Sequence, residues 1–205
     1  GLDHVAFTNS GAEANEKAFA LCRSASRYPN AKKVLAFKGS FHGRTLLALQ
    51  STWNPVKRAP FELPSYTSVF VDFPLRTDSK TEFTHVPEGF VEQLCSLQRI
   101  EDLNAFLGQS DTLFDTEIES LKQVVHETQK GLVFALIIEP MQSEGGDRYA
   151  SARFYRHLRI LTRHLGLPMI IDEVQTGFGL GGPFDWCSRF RFVTANGQPD
   201  FPDAI

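Results

Sequence analysis

The sequence is poor in cysteine and has no long apolar run, and these two absences exclude several classes of protein. Its three cysteines are Cys22, Cys95 and Cys187, with no Cys-x-x-Cys pair, so neither a disulfide framework nor a metal site is indicated. Free thiols of this kind are typical of a reducing compartment, and we expect a cytoplasmic protein. No apolar run is long enough to span a bilayer, which argues against a membrane protein.

The chain also lacks an excess of charge of either sign. Its formal net charge is −3 over 205 residues, which gives no sign of a nucleic-acid or membrane-binding surface. The hydrophobic fraction of 42% and the charged fraction of 22% are ordinary for a globular domain. We therefore expect an ordinary globular protein without a nucleic-acid or membrane partner.

Strand-like and helix-like segments alternate along the chain. The apolar patterns predict strands at residues 5–8, 33–37, 68–71, 132–139 and 168–172. They predict helices at residues 11–27, 88–107, 112–129 and 152–165, and surface loops at 55–64 and 73–87. This alternation indicates an α/β fold with a mostly parallel sheet flanked by helices on both faces.

A carboxylate follows the last of these strands. Residues 171–177 read Ile-Asp-Glu-Val-Gln-Thr-Gly, so that Asp172 stands at the carboxyl end of a buried strand. Open α/β sheets bind ligands at this edge. A buried aspartate needs a cationic or strongly donating partner, and a protonated heterocycle is one candidate. The alternative is an aspartate that caps a helix or bonds within a loop.

The segment at residues 8–16, Thr-Asn-Ser-Gly-Ala-Glu-Ala-Asn-Glu, reads as a strand end, a tight turn and a helix start. Free N–H groups and the positive end of the helix dipole make such a start a phosphate site. Gly11 and Ala12 would offer backbone N–H groups, and Ser10 a hydroxyl. The segment is neither a P-loop nor a Gly-x-Gly-x-x-Gly fingerprint. An ordinary capped helix remains the alternative.

The loop at residues 39–45, Gly-Ser-Phe-His-Gly-Arg-Thr, carries three candidate functional side chains. Phe41 can present an aromatic face to a ligand. His42 is an acid–base candidate, although a histidine beside an aromatic residue is more often structural. Arg44 can pair with a substrate carboxylate through two parallel hydrogen bonds, or form a surface salt bridge instead.

Two carboxylates follow the most apolar strand. Glu139 stands at its end, and Glu144 lies in a Ser-Glu-Gly-Gly turn. Paired carboxylates are typical of glycoside hydrolases, which form a rival class. Glu139 also fits a hydrogen-bonding role at the strand end.

These four segments, in this order, make the chain resemble the class III pyridoxal-phosphate-dependent aminotransferases, which act on ω-amino groups. The run Gln-Ser-Glu-Gly-Gly-Asp at residues 142–147 is most similar to the 4-aminobutyrate type, with the lysine 6-aminotransferase type close behind. Residues 75–129 carry none of the family motifs. The resemblance implies the large domain of the aspartate aminotransferase-like fold, fold type I, and pyridoxal 5'-phosphate as cofactor.

The resemblance also implies roles for individual residues. The phosphate would lie at Gly11 and Ala12, and the ring between Phe41 and Val174. Asp172 would pair with the pyridinium nitrogen, and Gln175 would bond the phenolic oxygen. The cofactor-binding set implied in this way comprises Ser10, Gly11, Ala12, Phe41, His42, Asp172, Val174 and Gln175. His42 is expected behind the residues that touch the ring.

For the substrate, the resemblance implies that Arg44 holds the carboxylate of the amino donor. Glu144 matches a glutamate that pairs with an active-site arginine and controls which substrate fits. That arginine is expected outside this chain. The expected reaction transfers an amino group from an ω-amino acid such as 4-aminobutyrate to a 2-oxo acid. Lysine 6-aminotransferase or ornithine-type activity, or a non-catalytic module that binds a phosphorylated ligand, are the alternatives.

The family's Schiff-base lysine lies downstream of the segment that contains Asp172. None of the lysines in this sequence matches that position, and the sequence stops at Ile205. We therefore expect residues 1–205 to be the central part of the large domain, without the lysine segment and the small domain. On this view the chain alone is inactive, and an intact parent protein forms a homodimer.

Overall fold

The computed structural model describes residues 2–61, 67–75, 115–192, 194 and 198–205. The helix predicted at residues 88–107 lies outside them, as does most of the loop predicted at residues 73–87.

A four-stranded sheet forms the centre of the fold. Its strands are β1 (Lys33–Phe37), β2 (Thr67–Val71), β3 (Val133–Ile138) and β6 (Met169–Ile171), and their spatial order is β2-β1-β3-β6. All three pairings are parallel. A separate antiparallel pair is formed by β4 (Met141–Gln142) and β5 (Arg148–Tyr149). The parallel sheet and four of the five predicted strands are confirmed.

Helices cover the sheet. They are α1 (Gly11–Ala25), α2 (Leu46–Gln50), α3 (Pro55–Arg58), α4 (Asp115–Gln129) and α5 (Ala152–Leu165). Two 3₁₀ turns lie at Ala59–Phe61 and Cys187–Phe190. The predicted helices at 11–27, 112–129 and 152–165 are therefore confirmed to within a few residues. In the part of the chain that the structure describes, no helix has both the length and the apolar character needed to cross a membrane.

The core has two layers because successive strand residues point to opposite faces. In β1, Leu35 and Phe37 join the cluster that contains the buried faces of α4 and α5. Val34 and Ala36 belong to the other cluster, which contains the buried face of α1. All six residues of β3 are buried, as expected for a strand covered on both faces.

Two predictions about local structure were wrong. Residues 5–8 form no strand, and Val5 and Phe7 are 79% and 95% exposed. A short apolar run becomes a strand only where a neighbour supplies the hydrogen-bonding ladder, and no described strand pairs with it. Residues 55–61 are helical rather than a loop, because Asn54 caps α3 and Pro55 occupies its first turn.

The C-terminal segment is attached to the sheet by backbone and charged contacts. Ala204 forms a parallel bridge with Ile170 of β6. Behind it, the guanidinium of Arg159 donates to Asp200 Oδ2 at 2.8 Å and to Asp203 Oδ2 at 2.7 Å. Arg159 is 1% exposed and Asp200 is 7% exposed, so removing either charge leaves its partner buried.

We predict that Arg159→Met lowers the free energy of unfolding by about 3 kcal/mol at pH 7, since breaking a buried ion pair costs about 3–5 kcal/mol and Arg163 still donates to Asp200. Urea denaturation measures the loss. As a control, Lys130→Met breaks the exposed pair with Glu127 and should change stability by less than about 1 kcal/mol.

The loss should also depend on pH. Burial raises the pKa of Asp200, but hydrogen bonds from Arg163 and Arg159 lower it to about 2. Because this folded-state value lies below the unfolded value of about 3.9, the stabilisation is complete above pH 4 and disappears as the pH falls towards 2. An Arg159→Met penalty that is equally large at pH 7 and pH 2.5 would contradict this account.

Candidate active site

Three strand ends place candidate residues at one edge of the sheet. The loop with Phe41 and His42 follows β1, Glu139 follows β3, and Asp172 follows β6. Because these strands are parallel and adjacent, their carboxyl ends lie side by side, which is where open α/β sheets bind ligands. The start of α1 reaches the same edge through a contact with Val174.

Asp172 is the most constrained group at this edge. It is 6% exposed. Its Oδ2 accepts from Asn15 Nδ2 at 2.8 Å and from His42 Nδ1 at 2.8 Å, and its Oδ1 accepts from the Val174 N–H at 3.1 Å. Burial raises the pKa of Asp172, but the hydrogen bond and charge of His42, together with the other two donors, bring the pKa below its ordinary value. The carboxylate is therefore ionised although it is buried.

His42 lies behind Asp172 rather than in the open part of the site. Its side chain is 0% exposed, and its backbone N–H donates to Thr52 Oγ1 at 3.0 Å. An ionised carboxylate only accepts hydrogen bonds, so Nδ1 carries the proton that points at Asp172. Nε2 is buried and has no partner among the described residues. The structure places His42 as a support for Asp172.

The start of α1 has the geometry of a capped helix end. The N–H of Glu13 donates to Ser10 Oγ at 3.2 Å, and Glu13 Oε2 accepts from the Asn9 N–H at 2.8 Å. Ser10 is therefore the N-cap, and its hydroxyl proton remains able to donate. A Cβ on Gly11 would lie 2.4 Å from a methyl group of Val174. The glycine thus lets the loop after β6 touch the helix start.

The Phe41 loop is held by Glu139. The N–H of Phe41 donates weakly to Glu139 Oε2 at 3.4 Å, which agrees with a hydrogen-bonding role at the strand end. Burial raises the pKa of Glu139 well above its ordinary value, and the charges of Asp172 and Glu144 raise it further. The carboxyl groups at two neighbouring strand ends therefore have pKa values shifted in opposite directions, upwards for Glu139 and downwards for Asp172.

The two predicted substrate-binding residues, Arg44 and Glu144, have different surroundings in the structure. Glu144 lines a cavity of about 420 Å³ together with Phe41, Lys57 and Arg148. Arg44 does not line this cavity, is exposed, and forms no ion pair with the residues that the structure describes. Gln175 is also exposed, with no hydrogen bond to any of them. Both side chains are therefore open to a ligand.

Three residues that shape the site escaped sequence reasoning. Asn15 bonds both Asp172 and the carbonyl oxygen of His42, and its position four residues after Gly11, on the same helix face, was the available signal. Thr52 holds the His42 backbone. Glu16 caps α2 through the Leu47 and Ala48 N–H groups, and no spacing in the sequence indicates that contact.

Among the described residues, one group offers three potential metal ligands within 4.8 Å, namely Glu173, Asp185 and Cys187. These groups are already used. Glu173 Oε1 accepts from the Cys187 N–H at 2.6 Å, and Asp185 Oδ1 accepts from the Ser188 N–H at 2.7 Å. Burial and the two neighbouring carboxylates raise the pKa of the Cys187 thiol, which keeps it protonated. The two carboxylates thus cap the 3₁₀ turn at Cys187–Phe190.

Known proteins are similar to this chain in sequence and in fold. The family model for class III aminotransferases matches residues 1–196. Acetylornithine aminotransferase from Methanopyrus kandleri is 37% identical over 97% of the chain, and mitochondrial 4-aminobutyrate aminotransferase from Sus scrofa is 34% identical over 74% of it. The structure of lysine aminotransferase from M. tuberculosis superposes with a TM-score of 0.67 at 26% identity over 93% of the chain.

The chain spans well under half of each of these proteins, 37%, 26% and 40% of their respective lengths. Within that span the fold predicted from the sequence, an α/β fold of type I, is confirmed.

Gly43 provides a test of the close packing beneath this site. Its φ is +126°, and a Cβ would lie 2.6 Å from the Cβ of Ala12. Gly146 has φ +103° but nothing within 4 Å of a Cβ. We predict that Gly146→Ala costs about 1–3 kcal/mol through backbone strain alone, and that Gly43→Ala costs about 1–3 kcal/mol more through overpacking. Urea denaturation of both variants measures the difference, and equal losses would show that the Ala12 contact is unimportant.

Proposed function

The chain belongs to the class III aminotransferases, and from that premise we propose that it forms the cofactor-binding core of an enzyme that transfers a terminal amino group to a 2-oxo acid. Enzymes of this family depend on pyridoxal phosphate. The relatives named for acetylornithine, 4-aminobutyrate and lysine support an amino donor whose reacting nitrogen lies far from its carboxylate.

The buried Asp172 is the observation that carries this proposal. Its three donors fill three of the roughly four acceptor positions of a carboxylate, so that Oδ1 keeps one position free. An ionised, immobile carboxylate with one free acceptor position fits the N–H of a protonated pyridine ring. When bound, pyridoxal phosphate supplies a ring that draws electrons from the carbon bearing the transferred amino group.

The other residues fit the rest of the cofactor. The N–H groups at the start of α1 are suited to the phosphate, with Gly11, Ala12 and the Ser10 hydroxyl nearest to that end. Phe41 and Val174 provide apolar surfaces for the two ring faces, and Val174 is 66% exposed. Gln175 is free to bond the phenolic oxygen. His42 orients Asp172 through the 2.8 Å hydrogen bond and keeps it ionised.

For the amino donor we propose an ω-amino acid of the 4-aminobutyrate type, whose carboxylate binds to Arg44. The support is chemical: Arg44 is exposed and pairs with none of the described acidic residues, and a guanidinium binds a carboxylate through two parallel hydrogen bonds. Ornithine-type and lysine-type donors are the alternatives, and relatives with such names match this chain as well.

In this proposal the Schiff-base lysine and the small domain belong to sequence downstream of Ile205, and the intact protein is a cytoplasmic homodimer. The greater length of the relatives supports the first part. The chain of 205 residues is then expected to bind the cofactor without turnover.

Cofactor binding provides the test of function. We predict that the chain binds pyridoxal phosphate reversibly and that Asp172→Asn weakens binding by about 10- to 100-fold, since a hydrogen bond to a charged group contributes about 1.5–3 kcal/mol. Absorbance titration gives the affinity, and borohydride followed by gel filtration should leave no pyridoxyl group on one lysine. Asp147→Asn is the control, because Asp147 is exposed and its φ of 53° suits asparagine. A stable adduct at a single lysine, or equal affinities for the three proteins, would refute the proposal.

The substrate assignment predicts a selective effect at Arg44. In a form of the protein that transaminates, Arg44→Lys should lower kcat/KM for 4-aminobutyrate by about 30-fold or more, since losing a paired charge in a closed site costs about 2–5 kcal/mol. A simple amine without a carboxylate should be converted at nearly the original rate, because it never used the guanidinium. Both donors are measured side by side. An equal loss for both would mean that Arg44 supports the fold or an interface instead.

A further inference from the structure

Asn15 joins helix α1 to the carboxylate of Asp172, and neither the sequence motifs nor the proposed function assigns it a role. Its side chain is buried, with 5% of the residue exposed. Its Nδ2 donates to Asp172 Oδ2 at 2.8 Å and to the carbonyl oxygen of His42 at 2.9 Å. An amide nitrogen carries two hydrogens, so both donor positions of Asn15 are in use. The amide is therefore fixed in one orientation between two acceptors.

Asn15 and His42 together fill one of the two oxygens of Asp172. Oδ2 accepts from Asn15 Nδ2 and from His42 Nδ1, each at 2.8 Å. Oδ1 accepts only from the Val174 N–H among the described residues. Each carboxylate oxygen has about two acceptor positions. The open position therefore lies on Oδ1, and Asn15 is one of the two donors that leave it there.

Asn15 also stands one helical turn beyond the proposed phosphate site. Gly11 begins α1, and residues four apart lie on the same face of a helix. Four residues of α-helix span about 6 Å. One rigid turn thus separates the N–H groups proposed for the phosphate from the amide that holds Asp172. The relative position of the two sites is set within a single element.

The next residue fixes α1 at this point without help from Asn15. Glu16 Oε1 accepts from the N–H groups of Leu47 and Ala48, at 2.8 and 3.1 Å. It also accepts from Thr45 Oγ1 at 2.8 Å. These bonds attach α1 to the start of α2. A change at Asn15 should therefore remove the amide contacts and leave the helix in place.

The charges around Asn15 favour a neutral donor at this position. The titratable groups that it bonds are Asp172, through its side chain, and His42, through its backbone, and Glu139 stands at the neighbouring strand end. Burial raises the pKa of Asp172, whereas hydrogen bonds from His42 and Asn15 lower it. An amide supplies its hydrogen bond without adding a charge. A carboxylate in its place would repel Asp172 at close range.

We propose that Asn15 is a positioning residue for the cofactor. It holds Asp172 at a fixed place relative to the phosphate site on the same helix, and it directs the open acceptor position of Asp172 to the ring nitrogen. The inference rests on the proposed function, because that function puts a protonated pyridine ring against Asp172. Asn15 acts through the carboxylate. Both charged ends of the cofactor are thereby located by one helix.

The test compares the binding of pyridoxamine 5'-phosphate and benzyl phosphate by calorimetry. Both ligands carry a phosphate on a methylene group of an aromatic ring, but only the first has a ring nitrogen, and neither has an aldehyde that reacts with lysines. Asn15→Leu removes the amide and keeps a side chain of similar size. Asn15→Asp keeps the shape and removes both N–H groups. Asn30→Asp is the charge-matched control, because Asn30 is exposed in the turn before β1.

We expect Asn15→Leu to weaken pyridoxamine 5'-phosphate binding about tenfold at pH 7, since hydrogen bonds to a charged group are among the stronger ones in proteins. Benzyl phosphate binding should stay unchanged, because it uses the helix start and not Asp172. In an Asp172→Asn background, Asn15→Leu should cost less than about twofold, since residues that act through one another are not additive. Asn30→Asp should leave both affinities unchanged.

Asn15→Asp adds a readout that a purely structural role would not change, the dependence of binding on pH. Of two carboxyl groups in contact, one takes up a proton more readily, and the introduced carboxyl can then donate to Asp172 in place of the amide. The affinity of this variant relative to the original chain should be lowest near pH 9 and recover as the pH falls towards 6. The ratio of the two proteins removes the ligand's own ionisations, and recovery within one sample excludes misfolding.

Unchanged pyridoxamine 5'-phosphate affinity in Asn15→Leu would overturn the inference. An equal loss for benzyl phosphate would do the same, since Asn15 would then only support the helix start, and so would an Asn15→Asp ratio that does not change with pH. The proposed function fails on a different result, namely Asp172→Asn binding pyridoxamine 5'-phosphate as tightly as the original chain, and the inference then falls with it. The two failures are distinguishable, because the first leaves the Asp172→Asn effect intact.

Discussion

An ionised carboxylate can remain in a protein interior only if donors replace the water that it has lost, and the compensation of Asp172 organises this whole edge of the sheet. Asn15 brings α1 to the carboxylate, His42 brings the loop after β1, and Val174 brings the loop after β6. Two segments that are distant in sequence are thus fixed to Asp172, and the loop after β6 folds back onto the same group. The helix start, the aromatic loop and the glycine-rich loop surround a single site for that reason.

The carboxyl groups at the two neighbouring strand ends have pKa values that are shifted in opposite directions. Burial and repulsion from Asp172 and Glu144 raise the pKa of Glu139, whereas the donors around Asp172 lower the pKa of that carboxyl in spite of its burial. Two ionised carboxylates at adjacent strand ends would repel each other in a low-dielectric setting. Glu139 supports the Phe41 loop by accepting from the Phe41 N–H, and Asp172 is the carboxylate to which the proposed function assigns the ring contact.

The exposed charged side chains of this region differ from the buried groups around Asp172. Asn15, His42 and Asp172 are buried and hydrogen-bonded to one another, so their geometry is preorganised. Arg44, Lys57 and Glu144 are at least partly exposed, and the single ion pair among them is long, at 3.5 Å. Rigid buried groups beside exposed charged ones fit the proposed function, in which one cofactor is held and the amino donor is bound from solvent.

The sequence by itself determined the fold class and the positions of most elements, because those depend on local chemistry. Residues 132–139 are apolar throughout, as a doubly covered strand requires, and Ser10 stands where a helix cap is needed. It also placed Asp172, Phe41 and Gly11 at element ends. Only the tertiary structure decided that residues 5–8 pair with none of the described strands, that Asn15 reaches Asp172, and that Lys57 faces Glu144. Those outcomes depend on contacts between residues up to 157 positions apart. The local periodicity of a sequence does not indicate such contacts.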